Sequence, residues 1–194
     1  MSPERVDPRR RDRGKDEEWI RGYLNRASWG VLALPAGSEA PYVNGNLFLY
    51  RPEPDRVYIH SARSGGLPHA LSDPAGLPAT FTAGEVGRLI PADEALEFSV
   101  EYNAVVLSGR CRIVTDPQEA EAALQGLLDK YAPHLESGKD YRAIVPEELR
   151  RTTVYRLDVE RWSGKEKAVG EHPGAYDLDR VPIPFSEEGG GAPS

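Results

Sequence analysis

The sequence predicts an α+β domain in which antiparallel β-structure dominates and the sheet curls toward a barrel. Three observations lead there. Runs rich in β-branched and aromatic residues follow one another with only short Pro/Gly/Ser turns between them. Helical periodicity with start and stop signals occurs in only two or three places. The repeated βα alternation of a doubly wound sheet is missing, as is any Gly-x-Gly-x-x-Gly after a strand.

The elements follow in order. Asp16 is the expected N-cap of a first helix, with Glu17 and Glu18 suiting the positive end of its dipole. Trp19, Ile20, Tyr23 and Leu24 share one face, and the helix should end near Ala27. Trp29–Leu34 and Pro41–Tyr50 then read as strands, separated by Pro35-Ala36-Gly37-Ser38. Arg56–His60 is a third strand after Arg51-Pro52-Glu53-Pro54-Asp55. Leu77–Phe81 is a fourth, extending toward Ile90. Phe98–Thr115 is the longest, with Gly109 marking a bulge or bend. Asp116, Pro117 and Glu119 form a capping-box arrangement, and Ala120 to Tyr131 continue at helical spacing until Pro133. Pro146–Leu149 predicts a helical turn, and Thr152–Trp162 a last alternating strand.

The charge is unevenly placed. The chain has 194 residues and a net charge of −7. Residues 1–18 carry six basic and six acidic side chains, with Val6 their only aliphatic residue. Residues 171–194 carry five acids and one base, together with four prolines and Gly189-Gly190-Gly191. Neither segment has enough apolar surface to offset its ordering entropy. The expected organisation is therefore an N-terminal tail over 1–17, one domain over 18–170 and an acidic C-terminal tail over 171–194. The acidic balance argues against a general nucleic-acid binder, and the acids interleaved with Arg9–Arg13 make that cluster a solvated segment. No apolar stretch approaches the length of a membrane span, and residues 1–16 lack the apolar centre of a secretory signal. A cytoplasmic location is expected.

Several chemistries are disfavoured by spacing. His60, His69, His134 and His172 show no metal-ligand spacing, so no metal site is expected. Cys111 is the single cysteine and lies among apolar neighbours mid-strand, which reads as core. No Gly-x-Ser-x-Gly elbow and no Walker pattern occurs. Three segments remain. In Val57-Tyr58-Ile59-His60-Ser61-Ala62-Arg63-Ser64-Gly65-Gly66-Leu67, a strand runs through small residues toward Leu67–Leu71. Such geometry exposes backbone N–H groups to an anion, though a plain polar turn reads the same way. Arg161-Trp162-Ser163-Gly164-Lys165 offers a flat ring beside a cation, or an ordinary strand exit. Tyr102, in Ser99-Val100-Glu101-Tyr102, could stack or donate, or simply line a barrel wall.

These three pieces, in this order, resemble the pyridoxamine-phosphate-oxidase-like, FMN-binding split-barrel superfamily, and within it the nitroimidazole-resistance branch. Pro41-Tyr42-Val43 and Asn46-Leu47-Phe48-Leu49-Tyr50 belong to the same pattern, which runs from Glu18 to about Lys165. The resemblance implies a split barrel, a homodimer, and FMN in a cleft at the subunit interface. It implies that phosphate and ribityl chain lie against His60–Leu67, and that the isoalloxazine lies near the Pro41–Asn46 strand and Tyr102. The Trp162–Lys165 exit would then lie beside the cofactor. The implied cofactor-binding residues are Asn46, Tyr58, His60, Ser61, Ala62, Arg63, Gly65, Leu67, Tyr102, Trp162 and Lys165. His60 is the implied catalytic residue, as a substrate-side acid or binding group. The implied activity is reduction of a small organic substrate, with nitroaromatic compounds as the candidate class. The chain departs from the pattern at Gly45, Gly66, Pro68 and Ala104; Gly66 and Pro68 stand where positive charge for the phosphate is usual. The Arg-x-Arg-Leu signature of vitamin B6 phosphate oxidation is absent. These departures leave a second reading, a non-catalytic, haem-binding or deazaflavin-binding split barrel; a third, suggested by residues 171–194, is a stress or interaction protein acting through its acidic tail.

Overall fold

The computed structural model describes residues 2–36, 39–64, 71 and 75–178. Its strands are β1 (Glu4–Arg5), β2 (Gly30–Ala36), β3 (Glu39–Asn46), β4 (Leu49–Arg51), β5 (Arg56–Ala62), β6 (Leu77–Ile90), β7 (Ser99–Ile113), β8 (Thr152–Lys167) and β9 (Tyr176–Asp177). The α-helices among the described residues are α1 (Glu17–Arg26), α2 (Pro117–Tyr131) and α3 (Pro146–Arg151). One sheet runs β3-β2-β6-β7-β8-β5-β4, antiparallel at every step. The sheet curls but is not closed, which is the α+β split-barrel class the sequence predicts.

Alternation along the long strands places the core. Val105, Leu107 and Cys111 of β7 point inward and are buried with Phe81, Ala83 and Leu32. Burial pushes the Cys111 thiol up to about 12, so it is a packing residue and not a reactive thiolate. α1 lays Ile20, Tyr23 and Leu24 on this core, and the Asp16 carboxylate accepts from the Trp19 N–H at 2.8 Å. α2 packs Ala123 and Leu127 over Leu49, Tyr58 and Val154 on the opposite face of the sheet.

Gly109 sits where its spacing suggests, at a bulge. Ser108 pairs with Arg161 and Gly109 with Val159, so Glu160 is the extra residue on β8.

Four expectations change. The Pro41–Tyr50 run is two strands, because Phe48 turns fully into the core against Phe81. The Phe48 N–H donates to the Tyr131 hydroxyl, and its carbonyl accepts from Lys130 Nζ at 3.1 Å. Glu119 does not complete a capping box. It is drawn away to Arg156 at 2.7 and 2.9 Å and to the Tyr58 hydroxyl at 2.8 Å. Instead Glu148 of α3 reaches back to the Val145 N–H.

The third change concerns residues 2–16, read above as a tail. They lie along the free edge of β8's second half. β1 pairs with Arg161 and Trp162, the Val6 N–H donates to the Trp162 carbonyl, and the Lys15 N–H donates to the Gly164 carbonyl. What holds this segment is the row of unpaired backbone groups on an edge strand, which composition does not register. The fourth concerns residues 171–178, the start of the segment read above as a tail, which the contacts of residues 168–170 lead into. Arg88 and Glu101 form a two-bonded pair at 2.8 Å, and Glu101 also accepts from the Val169 N–H. Arg88 reaches the Val169 carbonyl at 2.7 Å, and β9 then pairs with β6. Residues 179–194 lie outside the described residues.

These contacts set two predictions. Hydrogen bonds from Arg88 and Val169 hold the Glu101 carboxyl down at about 2, against 4.5 when free. A depressed carboxylate contributes its stabilisation above its free value and loses it as the pH falls through the folded one. Residues 168–170 should therefore become protease-sensitive between about pH 4.5 and 2, and E101Q should produce the same sensitivity at neutral pH. Lys130 is the second case. Its ammonium donates to the Leu24, Ala27 and Phe48 carbonyls, closing the end of α1 from another helix. Burial draws its pKa down to about 8. K130M should cost about 2–3 kcal/mol by urea unfolding, since carbonyls would be left buried without their donor.

Candidate functional site

β5 delivers its side chains by alternation. Val57 and Ile59 enter the core, and Tyr58 points the other way, beneath α2. Two residues on, His60 emerges past the helix and is exposed. Partial burial of its ring lowers the pKa from 6.5, so the imidazole is neutral at pH 7. His60, Ser61, Ala62, Glu148, Arg151 and Thr152 border a cavity of about 360 Å³. Ser61 Oγ lies 3.2 Å from the Tyr155 hydroxyl.

Arg63 closes this end. Its N–H donates to the Arg151 carbonyl at 3.1 Å and its Nη1 to the Arg150 carbonyl at 2.9 Å. It also borders a second cavity of about 430 Å³ between the start of α2 and α3.

Tyr102 and Lys165 form a separate group. Lys165 Nζ lies 5.2 Å from the Tyr102 ring centre, and Arg13 Nη1 donates to the Tyr102 hydroxyl at 3.0 Å. Their strands pair Ala104 with Lys165. His60 pairs with Val154 at the other end of the same β8. Eleven residues of β8, about 35 Å of extended strand, separate the two groups. A single chain therefore does not bring His60 and Tyr102 together.

Beside the Tyr102 group the outward face of β3, β2, β6 and β7 is made of small and apolar side chains, whereas toward His60 β7 and β8 carry the paired charges of Arg112, Arg156 and Asp158. Val106 pairs with Thr82 and Ser163, and Val31 with Thr82 and Gly45. Val43, Val86 and Val106 are 60%, 61% and 43% exposed, and among the described residues no helix covers them. Asn46 ends β3 opposite Gly30, on the core side of the sheet, half-buried, with its amide 3.5 Å from the Asn44 carbonyl. Gly45 lies beneath the Trp29 indole: a Cβ there would sit 2.2 Å from Trp29 Cζ2, which accounts for glycine at this position.

Two expected site residues are corrected. Trp162 is 1% exposed, under α1, with the Arg21 guanidinium 4.8 Å from its ring centre. It presents no stacking face to a ligand. Tyr58 is buried, and its hydroxyl is committed to Glu119. Gly65 and Leu67, with Gly66 and Pro68, lie outside the described residues. The fold also adds residues that the motifs did not indicate. Arg13 comes from the segment read as a tail, and Arg151 from the end of α3. The only available signal for Arg151 is its position just before β8, where Thr152 pairs with Ala62.

Residues 16–166 match the model of the family described as pyridoxamine 5'-phosphate oxidase. No curated protein matches the chain. Among solved structures, a flavocytochrome from Azotobacter vinelandii is 23% identical with a TM-score of 0.72, over 84% of this chain and 72% of that one. An FAD and heme binding protein from Mycobacterium smegmatis is 20% identical with a TM-score of 0.68, over 92% and 91%. A protein from Bacteroides thetaiotaomicron assigned to 5-nitroimidazole antibiotic resistance is 21% identical with a TM-score of 0.62, over 78% and 84%. At these identities the likeness is one of fold.

Proposed function

The chain belongs to the pyridoxamine 5'-phosphate oxidase family, and from that we propose that it is a homodimeric flavoprotein that holds FMN between its subunits and reduces a small organic substrate. One observation carries the reading. The candidate residues sit at opposite ends of β8, and an uncovered face of small and apolar side chains lies beside the Tyr102 end. A second copy laid on that face covers it and can bring one subunit's His60 end to the other's Tyr102 end. No helix among the described residues is long and apolar enough to cross a membrane, and we place the protein in the cytoplasm.

FMN, when bound, supplies the hydride or electrons; the chain binds it, orients it and sets the charge around it. Lys165 and Arg13 put two cations beside Tyr102, suited to negative charge. His60 offers a neutral imidazole whose ring nitrogens, among the described residues, make no hydrogen bond, so it can hold or accept a proton at the substrate. The solved structures named for flavin binding support a flavin. The protein assigned to nitroimidazole resistance makes nitroaromatic compounds the first substrate class to try.

The purified chain should be dimeric by light scattering and should bind one FMN per subunit, with an oxidised-flavin spectrum. Release of FAD on denaturation would correct the nucleotide. A Soret band without flavin would favour the haem-binding reading, and no flavin binding on titration would end the proposal. H60A should lower nitro-compound turnover by about 10²-fold or more while leaving flavin affinity in place. The wild-type rate should fall only below pH 6.5, as the imidazole gains its proton.

A further inference from the structure

The surroundings of the His60 cavity carry more positive charge than their carboxylates can neutralise. Arg63, Arg142, Arg150 and Arg151 lie at this end of the molecule with Glu147 and Glu148. Arg150 pairs with Glu147 at 2.5 Å and Arg142 with Glu148 at 2.8 Å. That leaves Arg63 without a carboxylate and Arg151 only sharing Glu148, whose carboxyl the Val145 N–H, Arg142 and Arg151 together hold down and which borders the same cavity. Arg63 gives one nitrogen to the Arg150 carbonyl. The Arg151 guanidinium makes no hydrogen bond or ion pair among the described residues, yet it borders the cavity.

The rest of the lining is mostly neutral. Thr152, next to Arg151, brings a hydroxyl group and His60 a neutral ring, while the Ser61 hydroxyl is 3.2 Å from that of Tyr155. The Ala62–Thr152 register pair and the Arg63 N–H bond to the Arg151 carbonyl fix Arg151 beside the end of β5. A planar guanidinium beside hydroxyl donors in a small open cavity matches the two-oxygen face of a phosphate monoester.

We infer that Arg151, seconded by Arg63, takes the terminal phosphate of the cofactor in the His60 cavity, supplying from α3 the positive charge that positions 66 and 68 lack. This rests on the flavin reading above and adds to it the residue that selects the phosphorylated form.

The test compares FMN with riboflavin, which lacks only the phosphate. Full-length wild type and R151Q are titrated with each, following quenching of flavin fluorescence. Wild type should bind FMN more tightly than riboflavin. R151Q should bind FMN about tenfold or more weakly and riboflavin unchanged, and R151K should recover part of the loss. The inference is overturned if R151Q leaves FMN affinity unaltered, if both flavins weaken together, or if wild type does not distinguish them. If wild type binds neither flavin, the flavin reading fails and the cavity is probed with inorganic pyrophosphate by thermal shift. A stabilisation lost in R151Q then sustains an anion site at Arg151 for another phosphate, and no shift, or an equal shift, removes it.

Discussion

Asp55→Ala should destabilise the protein by about 3–5 kcal/mol, measured as a lower urea midpoint with unchanged slope. Asp55 is nearly fully buried, in the turn between β4 and β5. Its carboxylate accepts from Arg21 Nε at 3.1 Å and Nη2 at 3.0 Å, and from the Tyr50 hydroxyl in a short bond. Burial together with the Asp55 bond holds the Tyr50 phenol well above its usual range. The Arg21 guanidinium lies in turn over Trp162. One carboxylate thus ties α1, the β4–β5 turn and β8 together. Alanine leaves a buried phenol without its acceptor and a half-buried guanidinium with only the more exposed Glu17, at 3.2 Å, as counter-charge. D55N keeps an acceptor for Tyr50 and should lose less. A double-mutant cycle with R21M should show strong coupling; additive effects would mean that the pair is not the cause.

Gly109→Ala is the second large effect, at about 3 kcal/mol by thermal unfolding. A Cβ on Gly109 would lie 2.0 Å from the Asp158 carbonyl oxygen and 3.0 Å from both the Asp158 carbon and the Glu160 nitrogen. All three are backbone atoms, so no rotamer change relieves the clash. The bulge would have to open, separating the two central strands. A change below about 1 kcal/mol would mean that the bulge is slack.

That bulge also explains what the sequence could and could not disclose. Alternation in Val105, Leu107 and Cys111 is plain to read, as are the Asp16 and Asp116 caps and Gly109 itself. The bulge's effect on β8 is not. Tyr155 and Leu157 point inward on odd numbers, and the extra residue Glu160 reverses the count, so that Trp162 and Gly164 point inward on even ones. This buries the tryptophan that the motif suggested for stacking and leaves Lys165 outside. Phe48 was hidden for another reason. The Tyr131 hydroxyl that receives its N–H lies 83 residues away, beyond any local pattern. The site was legible as a set of motifs, but its division between two ends of one strand is a property of register, which no single motif contains.

The edge cover formed by residues 2–16 has a consequence for synthesis. Lys15 and Glu166, which bond at 2.6 Å, are 151 residues apart in the chain. At ordinary elongation rates the N-terminal segment waits about 10 to 30 s before β8 emerges to receive it. During that interval it must neither collapse nor pair with another nascent chain. Alternating charges with almost no apolar surface suit that wait in water, and backbone hydrogen bonds together with the Arg13–Tyr102 and Lys15–Glu166 contacts seat the segment once its partner strand exists.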